Sequence, residues 1–144
     1  MCYILCHNSY FSAYYDNLTK CYVEEAGVKD SWYYRKWSDS RLEVFRTFTL
    51  SSSSGWGTTG KTNNGDTSAN LKIWRKIMNI SLPSGLFNAK PLFLNAVGDW
   101  DIYCTGDDPQ NWTKDRVAVG IYSGGGNGVD HDITISVQVH GIWK

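Results

Sequence analysis

The residues best suited to chemistry lie between positions 99 and 112, where aromatic rings alternate with short carboxylates and amides. Proteins bind a sugar by setting a flat apolar ring against its C–H face and polar side chains against its hydroxyl groups. The side chains here that meet these requirements are Trp100, Asp101, Tyr103, Asp107, Gln110, Asn111 and Trp112. The segment therefore predicts a saccharide site, against the alternative that Trp100 belongs to the core and the Asp-rich stretch is a solvated turn.

A second group of polar residues follows the glycine-rich run at positions 124–128. A phosphate-binding loop of the Walker type needs a lysine and a following helix, whereas this run lacks lysine and leads into a predicted strand. Asp130, His131 and Asp132, assisted by Asn127, have side-chain types that occur in metal sites. We favour a loop that joins two strands, binds no metal, and contributes Asn127, Asp130 and His131 to the ligand contacts.

Catalytic arrangements have little support in the sequence. Residues 99–108 include four aspartates, the residue type that glycosidases use in pairs, but that chemistry needs a defined carboxyl separation inside a cleft. The three histidines stand near no Gly-Xaa-Ser-Xaa-Gly motif, so no nucleophilic triad is predicted. We expect a protein that is not an enzyme and that binds no cofactor.

The cysteines predict neither a disulfide framework nor a zinc site. Four cysteines in 144 residues are too few for a disulfide-dense secreted scaffold. Cys2, Cys6 and His7 lie together, but a structural zinc site needs four ligands and no second short-spaced pair follows. We therefore expect reduced thiols.

Charge and hydropathy argue against two classes of partner. Fourteen Lys and Arg balance fourteen Asp and Glu, so the chain lacks the basic surplus from which nucleic-acid binding gains affinity by counterion release. No apolar run reaches the roughly 18 residues that a membrane-spanning helix requires. We expect one domain that is rich in aromatic rings, with seven Trp, nine Tyr and five Phe, and that contacts neither nucleic acid nor the interior of a membrane.

From residue 32 onward the apolar side chains recur with the period of two that is typical of β-strands. The predicted strands are Trp32–Trp37, Leu42–Leu50, Leu71–Leu82, Pro91–Val97, Trp100–Thr105, Arg116–Tyr122 and Asp132–Trp143. About seven strands at this spacing predict an all-β, antiparallel sandwich for residues 31–144. Residues 1–30 lack the period and are interpreted as a connector, with helical turns within Asp16–Ala26 that end at Gly27. The polar segment 51–70 is long enough to predict a functional or mobile loop.

Three predicted strands carry large side chains on the face away from the core. Tyr33, Arg35 and Trp37 share the outer face of the first hairpin with Phe45, and this aromatic and cationic group is expected to pack against the connector or a neighbouring subunit. Leu71–Leu82 has apolar side chains on both faces, as expected when one face is core and the other meets a second sheet or subunit.

The chain reads Tyr22-Val23-Glu24-Glu25-Ala26-Gly27, then Trp32-Tyr33-Tyr34-Arg35-Lys36-Trp37, then Ser38-Asp39-Ser40. This order resembles a module of tail-fibre and minor structural proteins of phages and prophages of Gram-positive gut bacteria. In that module a Val-Glu-Xaa-Gly leader precedes Trp-Xaa-Tyr-Arg-Lys-Trp, a turn that ends in glycine, and an Ala-Glu-Cys-Trp-Gly strand. Here Ser40 replaces the turn glycine and Val44-Phe45 replaces the Cys-Trp pair. Trp74-Arg75-Lys76 and the terminal Val-Xaa-Gly-Ile-Trp-Lys are similar to the usual continuation.

The resemblance implies the C-terminal, receptor-binding knob of a tail fibre, in general a homotrimer. Such a knob belongs to the virion tail, is assembled in the cytoplasm of the bacterial host, and contacts other virion tail proteins. Its ligand would be a host cell-surface glycan or wall polymer, with the loops 51–70, 98–114 and 123–131 presenting the contacts. Three alternatives stay open, namely a structural baseplate or fibre connector, a polysaccharide depolymerase, and a free-standing bacterial lectin.

Overall fold

The computed structural model describes residues 21–52, 56–62, 72–99, 102–123 and 131–144. Within these ranges the chain forms nine β-strands and a 3₁₀ turn at Pro109–Asn111. The strands are β1 (Val23–Lys29), β2 (Trp32–Trp37), β3 (Arg41–Leu50), β4 (Gly57–Thr62), β5 (Lys72–Ser81), β6 (Phe93–Gly98), β7 (Ile102–Asp107), β8 (Arg116–Ser123) and β9 (Ile133–Ile142). No helix in the described part of the chain is long and apolar enough to cross a membrane.

Two antiparallel sheets build the fold. The first has the strand order β1-β2-β3-β9-β6 and the second has the order β4-β5-β8-β7. Their inner faces share a cluster of buried apolar side chains, so the prediction of an all-β, antiparallel sandwich is confirmed. Each of the seven strands predicted from residue 32 onward is present, with boundaries shifted by at most two residues.

Residues 23–29 form a strand, and the prediction of helical turns was wrong for residues 23–26. β1 pairs antiparallel with β2, so these residues belong to the first sheet. A side chain at Gly27 would lie 3.0 Å from the Tyr34 hydroxyl, and the space left by glycine lets that hydroxyl donate to Glu25 across the hairpin (2.6 Å). Backbone pairing with β2 outweighs a weak local helical pattern, because strand preference depends on tertiary context. Residues 1–20 lie outside the described ranges.

The prediction of a loop over residues 51–70 was wrong in part. Gly57–Thr62 forms β4 and pairs antiparallel with β5 at the edge of the second sheet. An edge strand bonds to the sheet on one side through its backbone, and this polar strand therefore shows no apolar alternation in the sequence. Residues 53–55 and 63–71 lie outside the described ranges.

The core lies between the inner faces of the two sheets. The side chains that are almost fully enclosed alternate along their strands as predicted, and they include Leu42, Val44, Val117, Val119, Ile121, Ile133, Ile135, Val137 and Val139. Trp32 of β2 is 1% exposed, and its indole N–H donates to the carbonyl of Ser81 at the end of β5 (3.1 Å). This hydrogen bond joins the first sheet to the second.

The turn between β1 and β2 is bound to the segment that follows β5. Asp30 and Ser31 both have positive φ, at 51° and 65°, as in a type I′ hairpin. The Asp30 carboxylate accepts the backbone N–H and the hydroxyl of Ser84, at 2.8 and 3.0 Å. These two donors lower the pKa of Asp30 from its ordinary value of 3.8, so the ionised carboxylate makes the contact at neutral pH.

The turn between β2 and β3 generates a stability prediction. Ser40 has a φ of 72°, in the left-handed region that disfavours residues with a side chain. The Ser40→Gly variant should raise the free energy of unfolding by up to about 1 kcal/mol in urea denaturation. Ser38→Gly is the matched control, because the Ser38 hydroxyl accepts the Tyr22 N–H (3.2 Å) and its loss should not stabilise. A stability of Ser40→Gly equal to or below that of the parent would contradict strain at this turn.

Candidate functional site

The structure describes six of the ten residues that the sequence predicts to bind a ligand, among them Gln110, which is exposed. Those outside the described ranges are Trp100, Asp101, Asn127 and Asp130. Among the others, Tyr103 is 72% exposed on the outer face of the second sheet. His131 is also exposed and follows β8 in the chain, whereas Asn111 and Trp112 precede that strand.

Trp112 is part of the core, which leaves little of its ring for the predicted role as a flat plate for a sugar. The residue is 9% exposed, and its indole N–H donates to the Asp107 carbonyl (2.8 Å). Its ring lies so close to Gly106 that a Cβ there would come within 2.8 Å of ring atom Cζ2. A ring enclosed in this way leaves only a small part of its surface for contact with a ligand.

Asp107 and Asn111 direct their polar atoms to partners within the chain. The Asp107 carboxylate accepts from Nη2 of Arg75 at 3.1 and 3.2 Å, and the Asn111 amide donates to the Asp108 carboxylate. Tyr103 and Asp107 are four residues apart on β7, which corresponds to about 13 Å along an extended strand. Asn111 and Trp112 border a small depression of about 280 Å³ beside Asp108 and Arg116, whereas Tyr103, Asp107 and His131 do not border it, so the described members of the predicted site do not all converge on one ligand.

The outer face of the first sheet brings together a different set of residues. Tyr33 on β2 lies opposite Phe45 on β3, Phe45 lies opposite Gln138 on β9, and Gln138 lies opposite Asn95 on β6. Neighbouring strands are about 4.8 Å apart, so this row crosses about 14 Å of the sheet. We refer to Tyr33, Arg35, Phe45, Asn95 and Gln138 as the outer-face site.

The aromatic half of the outer-face site is held by its own contacts. The rings of Tyr33 and Phe45 are stacked, with centroids 5.4 Å apart and planes inclined by 13°, within the range that favours offset aromatic pairs. The Arg35 guanidinium lies 5.5 Å from the Phe45 centroid. Tyr33 nevertheless remains 57% exposed, so these three side chains are ordered by one another and still open to a ligand.

Packing against the N-terminal connector was expected for this outer face. The described part of that connector, β1, instead lies beside β2 as the edge strand of the same sheet, and it leaves Tyr33 exposed. Trp37, assigned to the same outer group, lies under the Arg41 guanidinium at 5.0 Å. Contact of this face with a neighbouring subunit stays a prediction.

Neutral polar groups make up the other half of the site. Gln138 and Asn95 are direct cross-strand neighbours, and each carboxamide offers both donors and an acceptor. One row further along, the hydroxyls of Thr47 and Ser136 lie 3.3 Å apart. A molecule that contacts the aromatic rings would therefore also lie close to the neighbouring amides and hydroxyls of the same face.

These residues border a depression of about 710 Å³, a volume typical of small-molecule sites, which span about 300–1,000 Å³. Arg46 and Val137 also border it. Because side chains alternate along a strand, these two residues are one position out of step with Phe45 and Gln138, and Val137 is buried in the core. The Arg46 guanidinium accordingly lies 4.8 Å from the Phe48 ring and donates to the Asp30 carbonyl.

No carboxylate borders the depression within the described ranges. Glu43, the cross-strand neighbour of Arg35, has a side chain that is 15% exposed, and its Oε1 lies 3.8 Å from Nδ1 of His140. In the second sheet, burial raises the pKa of the Cys104 thiol to about 11, so this group stays protonated and is a poor nucleophile at neutral pH. The outer-face site thus offers stacking and hydrogen bonding.

Comparison with known protein families, with curated proteins and with solved structures finds no match to this chain. Its function is therefore inferred from the geometry of the outer-face site and from the sequence pattern of residues 21–50.

Asn95 and Gln138 are the site residues that sequence reasoning missed. The alternation of β9 predicts that Gln138 faces outward, and this orientation is confirmed by its pairing with Phe45. The neighbours of Gln138, however, depend on the order of the strands in the sheet, and the alternation within one strand does not predict that order. The sequence shows that Gln138 and Phe45 both face outward. It does not show that they are neighbours, because that requires knowing that β3, β9 and β6 are adjacent in the sheet.

Replacement of Trp112 and of Tyr103 should have different consequences. Trp112→Phe removes the hydrogen bond to the Asp107 carbonyl and part of a buried ring, so we expect the free energy of unfolding to fall by about 1–3 kcal/mol. Tyr103→Ala alters an exposed side chain and should change the free energy of unfolding by less than about 0.5 kcal/mol. Urea denaturation of both variants measures the difference. Equal losses, or no loss in Trp112→Phe, would contradict the assignment of Trp112 to the core.

Proposed function

We propose that this chain is a non-catalytic saccharide-binding domain that uses the outer-face site, and that it attaches a phage tail fibre to a host cell-surface glycan. The observation that carries the proposal is the exposed stack of Tyr33 on Phe45 beside the amides of Gln138 and Asn95. Both halves border the same depression.

The chemistry of this combination suits a sugar. Sugar rings present an apolar C–H face and a rim of hydroxyl groups, so they are bound best where an aromatic surface adjoins neutral donors and acceptors. Tyr33 and Phe45 provide the aromatic surface, and Gln138 and Asn95 provide the carboxamides. Since the two rings already stack on each other, little side-chain freedom is lost on binding.

The attachment role depends on the resemblance of residues 21–50 to tail-fibre modules. These residues comprise β1, β2 and β3, and they supply Tyr33, Arg35 and Phe45. The similar modules carry tryptophan where this chain has Phe45, so an aromatic ring at this outward position is shared. We further propose a homotrimer in the virion tail, in which three weak sites act together and avidity gives durable attachment.

Hydrolysis of the bound polymer is less well supported than binding. A glycosidase needs two carboxyl groups about 5 to 9.5 Å apart at the scissile bond. The described border of the depression contains none. Binding without catalysis is therefore the function that the described residues favour.

A structural connector within the virion is the second candidate function. Ile77 and Tyr103 are 46% and 72% exposed on the outer face of the second sheet, and an apolar surface of this kind suits contact with another tail protein or a second subunit. A binding experiment separates the two candidates, because a structural connector requires no affinity for the host surface.

The test is binding of the purified chain to cell walls isolated from a panel of Gram-positive gut bacteria. We expect saturable binding by the parent chain and at least about tenfold weaker binding by Tyr33→Ala, because the sugar loses its main stacking partner. Gln138→Ala should bind about threefold to tenfold more weakly through loss of neutral hydrogen bonds.

Tyr103→Ala is the matched control, since it removes an exposed tyrosine from the opposite sheet. It should bind like the parent chain. A folded parent chain that binds none of the walls would overturn the proposed function and favour the connector. Equal losses in Tyr33→Ala and Tyr103→Ala would show that the outer-face site is not where the glycan binds.

A further inference from the structure

The charges of the outer-face site point to the chemical class of its ligand. Resting on the proposed function, we infer that the ligand is an acidic saccharide, and that Arg35 receives its anionic group, a carboxylate or a phosphodiester, beside the sugar ring that contacts Tyr33. Two observations indicate that the sugar is acidic, namely the contacts that position Arg35 and the charges that surround it.

Arg35 differs from three other arginines of the described chain in what its guanidinium contacts. Arg41 donates to the Asp39 carboxylate (2.6 Å), Arg75 donates to Asp107 (3.1 Å), and Arg46 donates to the Asp30 carbonyl (3.3 Å). The contact of the Arg35 guanidinium is the Phe45 ring, at 5.5 Å. Among the described residues no acceptor engages its five N–H groups, which leaves them available to a ligand.

The ring contact also prepares Arg35 for an anion. A guanidinium over an aromatic face is restrained in position while its N–H groups remain free at the edge. Its planar fork matches a carboxylate or a phosphate oxygen pair, and such charged hydrogen bonds are about twice as strong as neutral ones. The group is therefore ordered before binding and chemically suited to an acid.

The neighbouring charges leave the depression positive. Arg35 and Arg46 are the charged residues on the described border of the depression, and the Arg46 guanidinium is already engaged by the Phe48 ring and the Asp30 carbonyl. Glu43 lies opposite Arg35 on the next strand but does not border the depression, and its carboxylate approaches His140 instead. An anionic group placed here would meet a cation and no bordering carboxylate.

The experiment uses the same isolated walls after two chemical treatments. Carbodiimide coupling to an uncharged amine neutralises wall carboxylates, whereas hydrofluoric acid removes polymers linked by phosphodiesters. We expect one of the two treatments to weaken binding of the parent chain by at least about tenfold, and the effective treatment identifies the anion. Raising the sodium chloride concentration should weaken binding to untreated walls, since charge pairs near a surface are screened.

Arg35 variants link this loss to the protein. Arg35→Gln should bind untreated walls as weakly as the parent chain binds the effectively treated ones, and further treatment should then have little effect. Arg35→Lys should be intermediate, because it keeps the charge and loses the planar fork. Arg116→Gln, which removes an exposed arginine from the second sheet, is the control and should bind like the parent.

The outcomes separate this inference from the proposed function. Binding that survives both treatments, or that is unchanged in Arg35→Gln while Tyr33→Ala is weakened, overturns the acidic ligand and leaves saccharide binding intact. A loss on hydrofluoric acid treatment with no loss in Arg35→Gln also overturns it, because the ligand is then a neutral sugar carried by the removed polymer. No binding of the parent chain to any untreated wall overturns the proposed function itself.

Discussion

The ladder between β3 and β9 is the constraint on which the other features of this protein depend. Ten consecutive residue pairs set the register of these two strands at the centre of the first sheet. A shift of one residue would turn every inward side chain of a strand outward. Phe45 and Gln138 are therefore neighbours on the outer face because Val44 and Val139, one position away, are paired and buried in the core. The same hydrophobic burial that stabilises the sandwich arranges the residues proposed to bind the ligand.

Much of this fold could be predicted because its central strands are buried on one face. β3 and β9 alternate between core and solvent, and that period of two is visible in the sequence. β1 and β4 were missed because their sequences, VEEAGVK and GTTGKT, have few apolar side chains and leave no apolar period, whereas β6 and β7, which are edge strands too, carry apolar residues and were predicted. Gly27 resembles a helix end in the sequence, yet it makes room for Tyr34 across a hairpin.

The site was less predictable than the fold, for a physical reason. Trp112 stands among polar residues in the sequence, but Gly106 opens the space that takes its ring into the core. The outward orientation of Tyr33 and Phe45 was predicted, whereas their polar neighbours come from strands far along the chain. Gln138 reaches Phe45 through the order of strands in the sheet, and that order is a property of the whole core. A binding surface that several strands form together thus cannot be predicted from any single segment of the sequence.

The central claim is that a saccharide contacts the outer face of the first sheet. Its most direct test is a titration of isotope-labelled protein with wall fragments released by a muramidase, followed through the chemical shifts of backbone amides. The account predicts that the largest shifts cluster on β2, β3, β9 and β6, around Tyr33, Phe45, Gln138 and Asn95. Shifts confined to the second sheet around Tyr103, or no shifts with any fragment, would contradict it.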